Sequence, residues 1–333
     1  MKKNPLILQN GRSLVEVMIA LTLGLVVLLA VSSMFIGNRG TYRSMDDKAR
    51  MDEEGRLGLQ LIAQHIRMAG YGSLNPADPI FKPNRNYAEV PITNGSQTTY
   101  IYVPAVYTRF NKATSPAVTG VGAAAIFGCP NGFSSSTLTA AATALACANT
   151  GVSGALMVRY EVDVNSGNVN AAIPTDCLGL TIPPLTVDGA SFFIIDNRFY
   201  VQNNQLFCQG NGTPTTGAYP TSPILDNVEQ MSITYGLLAP AVDSSNTPID
   251  AANVFSQSIQ GFVTADRVTN WNQVGSVRIC LIMRSANDGV ATAPQNYFRC
   301  DGTKPNVGPT DRRLRSAYIS TVAIRGRTIG AGS

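Results

Sequence analysis

Between Leu14 and Ile36 the chain reads LVEVMIALTLGLVVLLAVSSMFI, apolar at almost every position except the carboxylate of Glu16. A helix of that length is roughly 35 Å long, enough to cross the hydrocarbon core of a bilayer. The pattern then changes. From Thr41 to Tyr71, Leu57, Leu61, Ile62, Ile66 and Ala69 recur at helical spacing, while Asp52, Glu53, Arg56 and Arg67 take other faces. Asp46 with Arg50 and Asp52 with Arg56 are acid-first pairs four apart, which favour a helix. The spacing therefore predicts one long helix from Ser13 to Met68, ended by Gly70, Gly72 and Pro76. Gly37, Gly40, Gly55 and Gly58 are places where it could bend.

Beyond the helix the period falls to two. Strand-like runs occupy Thr98–Val103, Ala155–Val162, Ser191–Asp196 and Arg198–Cys208, the last folded back at Gln202-Asn203-Asn204 as a hairpin. Val228–Leu238 alternates through Met231, Ile233 and Tyr235. The run SVRICLIMRS alternates through Val277, Ile279, Leu281 and Met283, and YISTVAIR near the end is its expected antiparallel neighbour. The Ala/Gly/Ser/Thr-rich stretch 111–154 reads as a long loop or insert. The fold class is thus α+β: a long N-terminal helix, then an antiparallel sheet domain with disulfide-braced loops.

Composition narrows the chemistry. Charged residues are 14% of the 333, against roughly 25% in average soluble proteins, and the net charge is +4. No basic block supports nucleic-acid binding. For Arg312, Arg313, Arg315, Arg325 and Arg327, solvated strand and turn charges outweigh a polyanion patch. The cysteines are Cys129, Cys147, Cys177, Cys208, Cys280 and Cys300, all far beyond the apolar run and none in a C-x-x-C. An even count in an exported region suggests disulfides, with fifteen possible pairings. Sequential pairing closes the shortest loops: 129 with 147, 177 with 208, 280 with 300. His65 is the single histidine, which disfavours a zinc site and His-based catalysis. With no G-x-S-x-G, H-E-x-x-H or P-loop, the chain reads as a non-enzyme without cofactor or metal. Asp243, Asn246 and Asp250 offer oxygens but lack the spacing of a calcium loop.

Three readings of the N-terminus remain open: a plain anchor, a secretory signal cut near Ala30-Val31-Ser32, and a leader cut at Gly11–Arg12. The third is carried by Gly11, Ser13, Leu14, Val15 and Glu16 ahead of some twenty apolar residues, which together resemble the type IV prepilin signal. That resemblance implies cleavage by prepilin peptidase after Gly11, N-methylation of Arg12, and Glu16 as the fifth mature residue. Arg12 departs from the phenylalanine usual at that place. Chemically, a carboxylate near a membrane helix end costs on the order of a few kcal/mol unless neutralised. The terminal amine of a neighbouring subunit's Arg12 can neutralise Glu16 and fix register.

Later stretches sharpen the resemblance. RLGLQLIAQHIRMAGYGS from Arg56, DNVEQMSITYG from Asp226, WNQVGSVRICLIMRS from Trp271 and the closing STVAIRGR are similar to the PilW-type minor pilins. Much of 77–220 carries no such likeness. The implied organisation is a leader over 1–11, a transmembrane and pilus-core half-helix over 12–37, its exported half over 38–69, and a periplasmic β-rich domain over 70–333. The implied role is priming type IV pilus assembly in a tip complex with other minor pilins and the major pilin. The chain would sit in the inner membrane with the assembly machinery before joining the extracellular pilus, and would serve twitching motility, attachment and DNA uptake. The alternatives are a J-type pseudopilin of type II secretion and an adhesin module displayed at the tip.

Overall fold

The computed structural model describes residues 13–71, 87–94, 97–104, 124–139, 142–162, 174–187, 190–212, 219–240, 255–291 and 293–325. Helix α1 runs unbroken over Leu14–Met68, 55 residues. Ser13 precedes it in extended conformation. Gly70 ends it at φ 74°, and the Gly70 amide donates to the Arg159 carbonyl at 2.9 Å, which turns the chain onto the sheet domain.

Twelve strands are described. A hairpin pairs β1 (Tyr87–Asn94) with β2 (Gln97–Pro104). The six-stranded antiparallel sheet contains β3 (Ile126–Cys129), β4 (Ala155–Val162), β5 (Leu185–Val187), β6 (Ala190–Gln202), β7 (Gln205–Gln209) and β8 (Thr221–Asp226). Its main path is β3-β4-β6-β7-β8, and β5 pairs with β6. The four-stranded sheet has the order β10 (Phe255–Val263), β9 (Val228–Pro240), β11 (Val274–Arg284) and β12 (Arg315–Ala323).

Local chemistry explains the joints. Asn203 and Asn204 have φ of 50° and 59°, the left-handed pair that a tight hairpin needs, so β6 folds back directly into β7. Asn227, at φ 61°, carries the chain from β8 in one sheet to β9 in the other. The sheets are also stitched where the Gly154 amide meets the Met231 carbonyl at 2.6 Å and the Met231 amide meets Ser153 Oγ at 2.9 Å.

The core lies between the lower half of α1 and both sheets. Ile62 and Ile66 from the helix pack with Leu156, Val158 and Phe199 of one sheet and Met231, Val277, Ile279 and Leu281 of the other. Two sequence expectations need correction. Leu57 is not on the packed face but 55% exposed; the buried face runs Met51, Gly55, Gly58, Leu59, Ile62, Ala63, Ile66. Glycines define it because the strands approach the helix backbone there, which an apolar count overlooks. The 111–154 stretch is not only loop: Ile126–Cys129 forms β3, paired with β4, and Phe133 bridges Cys147. Four residues are too few for alternation to show.

Candidate assembly interface

The helix has two halves with opposite surroundings. From Leu14 to Ile36 every large apolar side chain is open, Leu28 at 68% and Phe35 at 64% exposed among them. None of the most apolar eighteen-residue window is buried in the domain. A surface of that extent is a site for membrane or protein contact. The segment is long and apolar enough to cross a membrane. Glu16 is exposed on its first turn, its amide bonded to the Ser13 carbonyl at 3.0 Å. Gly11 and Arg12 lie outside the described residues.

The lower half is fixed to the domain by packing and by polar ties. A Cβ built on Gly55 would fall 2.6 Å from the Tyr318 ring, and one on Gly58 would fall 2.6 Å from Leu225 Cδ2. These two positions are glycine because strand side chains occupy the space. They are contact points rather than bends. Buried Asp47 accepts from Asn287 Nδ2 at 3.1 Å, and Asp52 accepts from the Tyr318 hydroxyl, so one acid of the expected Asp52–Arg56 pair is turned to the sheet. Asp46 and Arg50 do pair, at 3.2 Å, on the open surface.

His65 is the third tie. Its Nδ1 lies 2.8 Å from the Tyr160 hydroxyl and 3.1 Å from Asn197 Nδ2, with the Phe199 ring 5.4 Å away. Asn197 Oδ1 accepts the Cys177 amide at 3.1 Å, which orients Nδ2 toward the histidine. Nδ1 is then the acceptor, and the imidazole is neutral with its proton on Nε2. Burial lowers its pKa from 6.5 to about 4. The residue is structural. Its partners lie 95 and 132 positions away, beyond the reach of sequence reasoning.

The structure joins Cys129 to Cys147, Cys177 to Cys208 and Cys280 to Cys300. The first two hold loops against the six-stranded sheet; the third ties the 285–314 loop to β11. The arginines of the C-terminal cluster have separate tasks. Arg315 makes a two-pronged contact with Glu229, at 2.7 and 3.0 Å, and meets Asp311 at 2.6 Å. Its pKa is raised by those hydrogen bonds. Arg313 donates to the Ser285 and Ala286 carbonyls. Arg327 and the Asp243–Asp250 loop lie outside the described residues. Among the described residues no group of His, Cys, Asp and Glu could hold a metal ion.

Residues 192–326, from within β6 to just past β12, match the family model of PilW, the type IV pilus-assembly protein W. The match spans the C-terminal part of the sheet region, under half of the 333 residues. That match ties the chain to the type IV pilus system. Among solved structures, a type IV-like pilin from Thermus thermophilus aligns at 11% identity and a TM-score of 0.30. The alignment covers 53% of this chain and 79% of that one. No curated protein matches the sequence.

Proposed function

We propose that this protein is a minor pilin that primes or supports type IV pilus assembly from a tip complex. The observation that carries the reading is one helix with an open apolar half bearing Glu16 and a second half built into a PilW-type domain. In this reading prepilin peptidase cuts after Gly11 and Arg12 becomes the methylated N-terminus. The apolar half first anchors the chain in the inner membrane, with the sheet domain in the periplasm. It then packs among the helices of other minor pilins and the major pilin, where Glu16 meets the amine of a neighbouring Arg12. Twitching, attachment and DNA uptake follow from a working pilus rather than from a catalytic site. Intact mass of the mature protein tests the first step: methylated Arg12 at the terminus is expected, and a species starting at Ser33 or an uncut chain refutes it. Glu16→Ala should be processed and inserted yet lower piliation. A deletion strain with normal pilus number but lost attachment would mark an adhesin instead.

A further inference from the structure

Where the apolar run stops, the helix meets an overhanging loop. A groove of about 1010 Å³ lies between helix residues from Ile36 to Asp47 and the loop from Asn287 to Ala291, with Gln295 and Arg312 beside it. Both walls are held in place. Asn287 is bonded to Asp47, the Ala291 amide donates to the Arg312 carbonyl at 2.9 Å, and Asp288 Oδ1 accepts the Gly289 and Arg312 amides at 2.7 and 3.0 Å. The floor is open, since a Cβ on Gly37 or Gly40 would meet nothing within 4 Å. The lining carries both signs of charge. Arg43 and Arg312 are exposed and, among the described residues, have no ion-pair partner, while exposed Asp288 supplies a carboxylate; Asp47 is buried and taken up by Asn287.

We propose that this groove holds the headgroup of a zwitterionic, ethanolamine-type phospholipid from the membrane that α1 spans, its phosphate on Arg43 and Arg312 and its ammonium against Asp288. The inference rests on the membrane-anchored reading above. Position argues for it first. With Leu14–Ile36 in hydrocarbon, Arg43 stands roughly 10 Å above the last apolar residue, and the headgroup layer is about 5–8 Å deep on each side. Helical side chains lean toward the N-terminus, which here is the membrane side, and arginine readily reaches back to the interface. Charge argues for it second. An acidic headgroup would satisfy the guanidinium groups but face the Asp288 carboxylate; a phosphate with a tethered ammonium satisfies both signs.

The test uses the full-length protein in detergent, titrated with phosphatidylethanolamine or phosphatidylglycerol and read by native mass spectrometry. One retained phosphatidylethanolamine is expected, bound in preference to phosphatidylglycerol, and Arg43→Ala with Arg312→Ala should weaken it about tenfold or more. Gly40→Leu is the second variant. It fills the floor, favours the helix and should also expel the lipid. Equal retention by wild type and both variants, or equal retention of the two lipids, overturns the proposal. So does unchanged lipid binding combined with lost filament incorporation, which would assign the groove to a neighbouring subunit. Alkaline extraction of membranes reads the underlying premise separately. A chain released by it refutes the anchor, whereas a chain that stays in the membrane but retains no lipid refutes only the groove.

Discussion

Acidification should loosen the helix from its domain through His65, and the size of the effect follows from its surroundings. The imidazole is held neutral by burial and by Asn197 Nδ2 aimed at Nδ1, and its pKa falls from 6.5 to about 4. Between those values the unfolded chain binds more protons than the folded one, so stability rises with pH across the window and is lost as pH falls. Linkage gives a loss of about 1.2 kcal/mol at about pH 5.5 and about 2.4 kcal/mol at about pH 4.5, relative to neutral pH. The assay is urea unfolding of the full chain in detergent, disulfides intact, at several pH values, for wild type and His65→Gln. Other titrating groups are common to both, so their difference isolates the histidine. The wild-type curve should fall below its own neutral-pH value more steeply than the variant's. Parallel curves would refute the neutral, buried assignment.

Other outcomes follow from contacts described above. Gly58→Leu places a side chain against Leu225 and Leu281 and should cost about 1–3 kcal/mol. Gly40→Leu, with open space around it, should instead gain roughly 0.5–1 kcal/mol in thermal unfolding. Arg315→Ala leaves Glu229 and Asp311 facing each other across a half-buried site and should cost about 2 kcal/mol, measurable by denaturant midpoint. Replacing both Cys177 and Cys208 by serine frees a loop with a sequence separation of 31 and should cost about 3 kcal/mol by the same assay.

How much of this was legible depended on whether the determinant was local. The long helix was, because an apolar run and a 3.6-residue period are properties of neighbouring residues. So were β9 and β11, whose inward positions Met231, Ile233, Tyr235, Val277, Ile279, Leu281 and Met283 are all buried. The strands not read from sequence have identifiable masks. Pro91 sits inside β1 and Pro223 inside β8, the latter at a sheet edge where its missing N–H costs nothing. In β10, register shifts between Phe255 and Gly261 scramble the alternation. β5 has three residues and β3 four. At the candidate interface, Glu16 and the apolar half announce themselves. Asp47–Asn287 and Asp52–Tyr318 do not, since their partners are 240 and 266 positions apart.

Those long-range ties explain how one helix can serve two environments. Asp47, Asp52 and His65 are spread over 18 helix residues, roughly 27 Å of axis, and each bonds to a different part of the domain. Between them Gly55 and Gly58 bring the backbone against Tyr318 and Leu225. An axial load on the apolar half therefore shears all of these contacts together instead of peeling them one at a time. The disulfides add nothing to this joint directly, because all three lie within the sheet domain. Their contribution is to keep the receiving surface rigid. On the proposed function, in which the open half leaves lipid and packs among other helices, such a joint lets the apolar half change surroundings while the domain it carries keeps a fixed orientation to it.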